Sequence, residues 1–403
     1  MRTKPDRPAR FLARLGVRAV VVAGAYALAA AAILLTVIGL RDVVSPARLR
    51  EFLGFVFIAT LAAGLEPGTT KADALDPDHR AGLPAIFAVS TLKALLASPV
   101  LALVWRFADP AASLSMLAWT PGLCVAGFCV TDLRVLHDLR GRYALAIGLK
   151  QGALAGGIVL AGTLIASGAG LGLAVGVSTL ARLAVVAVAG LGNSARRGSA
   201  SFGRDVRRMA ADLRWLDLAA VSVIAAVSGS VDRLFGLRFL DAAAYGGYFL
   251  VFEVFSKFWL IPYVLAPIIF ARQASGQETG AFLRGAWSFT AAVGALFLAA
   301  LGGLLWLAPG PLARVVGASF GPPTWLFGAG VVVGSFVQLR IAGLQGEGAS
   351  RRAAIVSGFS AVFSVALFYL AARSWGAAGL LSAWLVKSVV ELALAMLPAR
   401  RPA

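Results

Sequence analysis

The sequence predicts an all-α, polytopic membrane protein of about twelve transmembrane helices in two six-helix bundles. Three observations predict it. Of 403 residues, 59% are hydrophobic and only 14% charged, and the mean hydropathy is +0.84. That balance is foreign to soluble domains. Apolar stretches near 20 residues, the length that crosses about 30 Å of hydrocarbon, recur along the whole chain. One long polar stretch, 192–214, interrupts them at the midpoint and carries six arginines.

The elements follow in order. The basic N-terminus MRTKPDRPARFLARLGVRA precedes an apolar run from Ala19 to Leu40. That run of 22 residues exceeds a signal-peptide core and more spans follow it, so it reads as an uncleaved first span. The spans are 19–40, 52–72, 83–105, 112–131, 143–166, 170–191, 215–236, 245–270, 286–307, 324–344, 353–372 and 376–397. With the N-terminus inside, the inner segments hold 21 Lys and Arg and the outer ones seven. This asymmetry matches the enrichment of cations in cytoplasmic loops, and an odd number of spans would spoil it. The expected organisation is a bundle over 1–191, a cytoplasmic basic linker over 192–214 and a second bundle over 215–403, with both ends cytoplasmic. The second part of the linker suits a short amphipathic helix on the inner membrane surface. The halves read as weak repeats: LRDVVSPARLREFLGFVFIAT follows the first span and LRFLDAAAYGGYFLVFEVFSK the seventh. A six-plus-six repeat is a common transporter plan with the substrate site between the halves.

Cations inside the spans are the functional signal. Lys93, Arg182, Lys257 and Lys387 lie deep, while Arg18, Lys71, Lys150, Arg233 and Arg340 lie nearer span ends. A cation at the bilayer centre costs roughly 2.5–3.5 kcal/mol on insertion scales, and it is carried where it faces water or protein. Nine such cations against five acids (Glu66, Asp217, Asp232, Glu253, Glu391) point to a positive path and an anionic cargo, and away from cationic drugs.

Several chemistries lack their residues. The net charge of +18 suits positive-inside loops, and no nucleic-acid-reading motif accompanies it. Cys124 and Cys129 form neither a CxxC nor a disulfide framework, and His79 and His137 have no ligand partners nearby, so no metal, cofactor or catalytic residue is expected. No Walker loop is present, and no GxSxG lies at a strand–helix turn. The longest outer loop, 308–323, spans 16 residues, short for a glycan polymerase or ligase.

The second half carries a family resemblance. VDRLFGLRFLDAAAYGGYFLVFEVFSKFWLIPYVLAPIIFARQAS has an Asp-Arg at the outer end of the seventh span, a Tyr-Gly-Gly-Tyr entry to the eighth and a proline-containing exit. LARVVGASFGPPTWLFGAG and RSWGAAGLLSAWLVKSVVELALAM follow as an external turn and a last span. These segments resemble the C-terminal lobe of oligosaccharide flippases of the multidrug/oligosaccharidyl-lipid/polysaccharide exporter superfamily. The first half departs from the family pattern, with GLRDVVSPARLREF after its first span. The resemblance implies flipping of a polyprenyl-diphosphate-linked oligosaccharide from the cytoplasmic to the outer leaflet by alternating access, without enzymatic activity. It implies residence in a bacterial cytoplasmic (inner) membrane and partners drawn from the anionic glycolipid, membrane lipids, and a glycan polymerase or glycosyltransferases. A small-molecule or drug antiporter of the same superfamily, or a non-transporting component of a glycan-assembly complex, is the alternative.

The charged residues then acquire candidate roles. Glu253 and Lys257, four apart, share a helical face. On a cavity wall Lys257 holds the diphosphate and Glu253 responds to a coupling ion; otherwise they are a neutralised pair that lets the helix insert. Lys387 and Glu391 repeat the spacing in reverse and read as a structural pair. Asp232 and Arg233 point about 100° apart and cannot share one partner face: either one lines the cavity mouth while the other packs, or they are interfacial charges that snorkel. Glu66 and Lys71 flank Pro67-Gly68, either a hinge or a simple helix end. Lys93 and Arg182 have no acid nearby in sequence and require a cavity or a partner on another helix. Arg18 starts the first span, a cavity-lining span in the family. The expected substrate-binding set is Lys257, Arg233, Lys93, Arg182, Lys71 and Arg18; the expected coupling or gating set is Glu253, Glu66 and Asp232.

Overall fold

The computed structural model describes residues 8–65, 69–70, 81–139, 142–194, 202–211, 223–224, 226–262, 265–266, 269, 273, 280–307, 321–347 and 349–397. Among them every regular element is helical. The first bundle comprises α1 (Pro8–Arg41), α2 (Pro46–Gly64), α3 (Leu83–Ala108), the single turn α4 (Leu114–Leu117), α5 (Thr120–Leu139), α6 (Tyr143–Ala166) and α7 (Leu171–Ser194). After the linker helix α8 (Phe202–Ala211) come α9 (Val231–Phe239), α10 (Ala242–Phe255), a 3-10 turn over Ser256–Trp259, α11 (Gly280–Leu307), α12 (Pro322–Gly346) and α13 (Ser350–Met396). Eight of the described helices are long and apolar enough to cross a membrane.

Local chemistry sets the helix ends. Ser45 caps α2, accepting from the Arg48 amide at 3.4 Å, and Pro46 follows in the first turn. Asp241 caps α10, accepting from the Ala244 amide at 2.8 Å. These turns, with 109–113, 167–170 and Gly376, lie at one end of the molecule, here called distal; the chain's beginning lies at the proximal end. Trp306, Trp325 and Trp375 are exposed there, as aromatic side chains are at a membrane interface.

The spans face lipid and core as their spacing requires. On α3, Leu92, Leu96, Val100 and Leu103 are exposed, while Ile86, Val89, Ser90, Ala94, Leu101 and Trp105 are buried. An outward apolar stripe is what lipid solvation calls for. Helices cross closely where glycine removes the side chain. A methyl at Gly127 of α5 would lie 2.6 Å from the Ala62 carbonyl oxygen of α2, and one at Gly330 of α12 would lie 2.7 Å from the Leu385 amide of α13.

One boundary differs from expectation. The sequence places the fourth span at 112–131, yet the helix runs from Thr120 to Leu139. Ser113 caps α4 instead, and Asp132 stays helical because other helices satisfy its carboxylate. The last two spans, expected at 353–372 and 376–397, are two helices joined at Gly376 into a 47-residue stretch, the break falling where the sequence places it. At about 1.5 Å per residue it would be far too long for one crossing. Gly376, at φ 59° and ψ −140°, kinks it; glycine tolerates this backbone where other residues are strained.

The bundles meet through α2 against α9 and α10, α1 against α10, and α3 against α9. The side-chain contacts that join them gather in the distal half. Arg50 donates to the Leu237 carbonyl. The Arg238 guanidinium lies 5.6 Å from the Phe107 ring centre, and Phe107 meets Phe235 edge-on at 6.4 Å. One apolar core runs through both bundles from Phe52 and Phe57 to Phe252 and Trp384. The linker helix α8 instead docks on the proximal start of α3: Met209 and Val206 pack with Ala85, Ile86 and Val89, and Asp205 accepts from the Gly82 amide at 3.5 Å.

Candidate functional site

Three charged clusters result, and they are not one tunnel. The first spans the last turn of α10 and the 3-10 turn after it. Lys257 Nζ is 2.6 Å from Glu253 Oε2, and the lysine side chain is 37% exposed against 11% for the glutamate. Phe252, on another side of α10, packs on Phe327 and Trp384 and meets Trp259 edge-on at 6.1 Å. Glu253 lies on α10, the helix that also packs against α1 and α2, and Lys257 lies on the 3-10 turn after it, which packs against α12.

The second cluster surrounds Asp232 and Arg233. Asp232 is fully buried. Its Oδ2 accepts from the Tyr248 hydroxyl and from Trp384 Nε1 at 3.2 Å; its Oδ1 has no hydrogen-bond partner. The buried Tyr245 hydroxyl is likewise without a partner. Arg233 turns elsewhere. Its Nη2 donates to the Gly229 carbonyl at 2.8 Å and Ser230 Oγ at 3.0 Å, and its guanidinium lies 4.6 Å from the Phe252 ring centre and 5.8 Å from that of Phe57. A cation between two ring faces is stabilised by their quadrupoles. Arg233 therefore stands at the seam between α2 of one bundle and α10 of the other.

The third cluster belongs to the first bundle and centres on Asp132, which sequence reasoning misses by ending the fourth span at residue 131. The carboxylate is 2% exposed. Oδ1 accepts from Thr70 Oγ1 at 2.6 Å and the Thr70 amide at 3.3 Å; Oδ2 accepts from Ser90 Oγ. Lys93 Nζ donates to Thr69 Oγ1 at 2.9 Å, and Ser90 Oγ also reaches Thr69 Oγ1 at 3.1 Å. A Lys93–Thr69–Ser90–Asp132 chain thereby ties α3 and α5 to the segment after α2. Lys93 has its acidic neighbour on another helix. The signal for Asp132 is the apolar spacing Val130, Leu133, Leu136, which carries the helix past it.

The remaining candidates divide. Arg182 is buried inside the first bundle on α7, which packs against α3, α4, α5 and α6 of the same bundle. Lys387 lies 3.2 Å from Glu391 and 4.8 Å from the Trp384 ring centre, a buried pair as its spacing suggests. Glu66, Lys71 and the Pro67-Gly68 break fall outside the described residues, and Arg18 is described in backbone only. Among the described residues no group of His, Cys, Asp and Glu could hold a metal ion.

Known proteins share this architecture. No family model and no curated protein sequence matches the chain. Solved structures do. The lipid II flippase MurJ in an inward closed conformation matches with TM-score 0.62 at 10% identity, over 92% of this chain and 86% of that one. The eukaryotic MATE transporter AtDTX14 matches with TM-score 0.59 at 16% identity, over 95% and 94%. A MOP superfamily transporter from Pyrococcus furiosus, whose binding pocket is described as reversed in polarity, matches with TM-score 0.55 at 15% identity, over 98% and 96%. The chain has the twelve-helix membrane fold that MATE transporters and MurJ share.

Proposed function

We propose that the chain is a membrane transporter that flips a polyprenyl-diphosphate-linked oligosaccharide from the cytoplasmic to the outer leaflet by alternating access, for surface polysaccharide synthesis. The observation that carries this reading is Lys257. It is a partly exposed cation, held by one carboxylate, in the 3-10 turn that follows the helix where the bundles meet. A cation so placed offers donors to a diphosphate, while Glu253 keeps it aimed when the site is empty. In this reading residues 1–191 and 215–403 are the two moving bodies joined by 192–214, and the distal end is the outer one. Arg233, sandwiched at the interbundle seam, takes part when the bundles separate. Asp232 and Glu253 are the coupling or gating acids. The likeness to MurJ, a lipid II flippase, supports the cargo class, and the excess of cations over acids in the spans weighs against cationic drugs.

The test is a complementation experiment in the source organism. A deletion strain accumulates lipid-linked glycan on the cytoplasmic side. Lys257→Ala lowers surface glycan at least about tenfold, the effect of losing one charge-assisted contact of about 1.4 kcal/mol or more, at unchanged protein level. Full glycan output from Lys257→Ala removes this site from the mechanism.

A further inference from the structure

Arg182 sits at the middle of α7, eleven residues from Leu171 and twelve from Ser194. At 1.5 Å per residue that is about 17 Å from either end, the depth at which a charge is hardest to solvate. The side chain does not reach for either surface. It is 3% exposed, and its stem lies in the seam between α6 and α7 over Gly157. A methyl at Gly157 would stand 2.7 Å from Arg182 Cδ and 3.0 Å from Ser178 Oγ.

Nothing among the described residues neutralises it. Nη1 has no hydrogen-bond partner, and no carboxylate pairs with the guanidinium. The nearby hydroxyl protons are spent elsewhere: Ser178 donates to the Gly157 carbonyl at 2.7 Å and Thr179 to the Val175 carbonyl at 2.7 Å. Of the helices packed on α7, neither α4 nor α6 contains an acid, and α3 gains only Asp109 beyond its distal end. Of the two acids of α5, Asp132 is engaged by Thr70 and Ser90, and Asp138 stands next to the last residue of the helix, at its proximal end. An arginine stays protonated under all ordinary conditions, so the charge remains and requires a counter-charge.

We infer that the first bundle holds a small inorganic anion, chloride in type, against the Arg182 guanidinium between α5, α6 and α7. Size sets the class. Among the described residues Arg182 is buried by helices of its own bundle, and its stem is packed against Gly157. A bulky glycan diphosphate does not reach a side chain buried this deeply, whereas a compact monovalent anion needs only the unpartnered guanidinium N–H. This inference does not depend on the cargo proposed above, and its test does not use transport.

Purified full-length protein in lipid nanodiscs is heated with a thiol-reactive dye, which reads unfolding through the buried Cys124 and Cys129. Sodium chloride and sodium gluconate are compared at equal ionic strength. Chloride is expected to raise the wild-type midpoint by on the order of 3 °C, saturably with concentration. Arg182→Met loses the chloride shift and Lys257→Met keeps it. Where Arg182→Met does not fold, Arg182→Lys is read instead, with the half-saturating chloride concentration raised at least about tenfold. Equal wild-type midpoints in chloride and gluconate overturn the inference. So does a shift that survives substitution of Arg182 but is lost with Lys257→Met, or stabilisation by inorganic pyrophosphate without any by chloride.

Discussion

Asp232 illustrates how one side chain organises an aromatic core. Its carboxylate collects Tyr248 and Trp384 from two helices far apart in the chain. Asp232→Ala strands two buried donors and is expected to cost about 3 kcal/mol, whereas Trp384→Phe removes one donor and a smaller area, about 1–2 kcal/mol. Thermal unfolding in nanodiscs should rank the variants in that order; equal midpoints for wild type and Asp232→Ala would sink this account. Residues of this kind are the least legible in the sequence. The pairs Glu253–Lys257 and Lys387–Glu391 are readable because four residues on a helix always adjoin. The partners of Lys93, Asp132 and Asp232 are not, because they depend on how each helix is rotated against its neighbours. Arg50, a loop charge by its place in the sequence, likewise acquires its contact with Leu237 only in three dimensions.

At the level of elements, length and hydropathy carry most of the information. The span expected at 143–166 coincides with α6, and the span expected at 83–105 with all but the last turn of α3. Errors arise where polar residues remain helical, as in α5. Helix crossings are a second layer, set by small residues. Gly330 meets the backbone of α13, so Gly330→Val should force the helices apart at about 1–3 kcal/mol. A methyl added at Gly358 would meet nothing within 4 Å, so Gly358→Ala should leave the unfolding midpoint at or slightly above that of wild type. Comparing the two midpoints separates packing from helix propensity.

For the whole molecule, the distal seal is the feature that transport has to break. Arg50 to Leu237, and Arg238 on Phe107, tie the bundles where the proposed outer opening lies. A Phe107→Cys, Arg238→Cys double variant joined by a short cleavable bis-thiosulfonate should stop glycan export, and reductant should restore it. The native cysteines are buried and should leave the wild type unaffected by the reagent. Continued export by the fully cross-linked protein would mean that the bundles need not part at this end.

The kink at Gly376 has a consequence for how the chain can be handled. Trp375 before it and Ala377 after it both remain helical, so the return between the last two spans uses a single non-helical residue. A protease finds no extended backbone to grip there, and an inserted epitope would have to unwind a helix before it could be displayed. The two segments behave as a hairpin spring with no slack: whatever turns one of them turns the other.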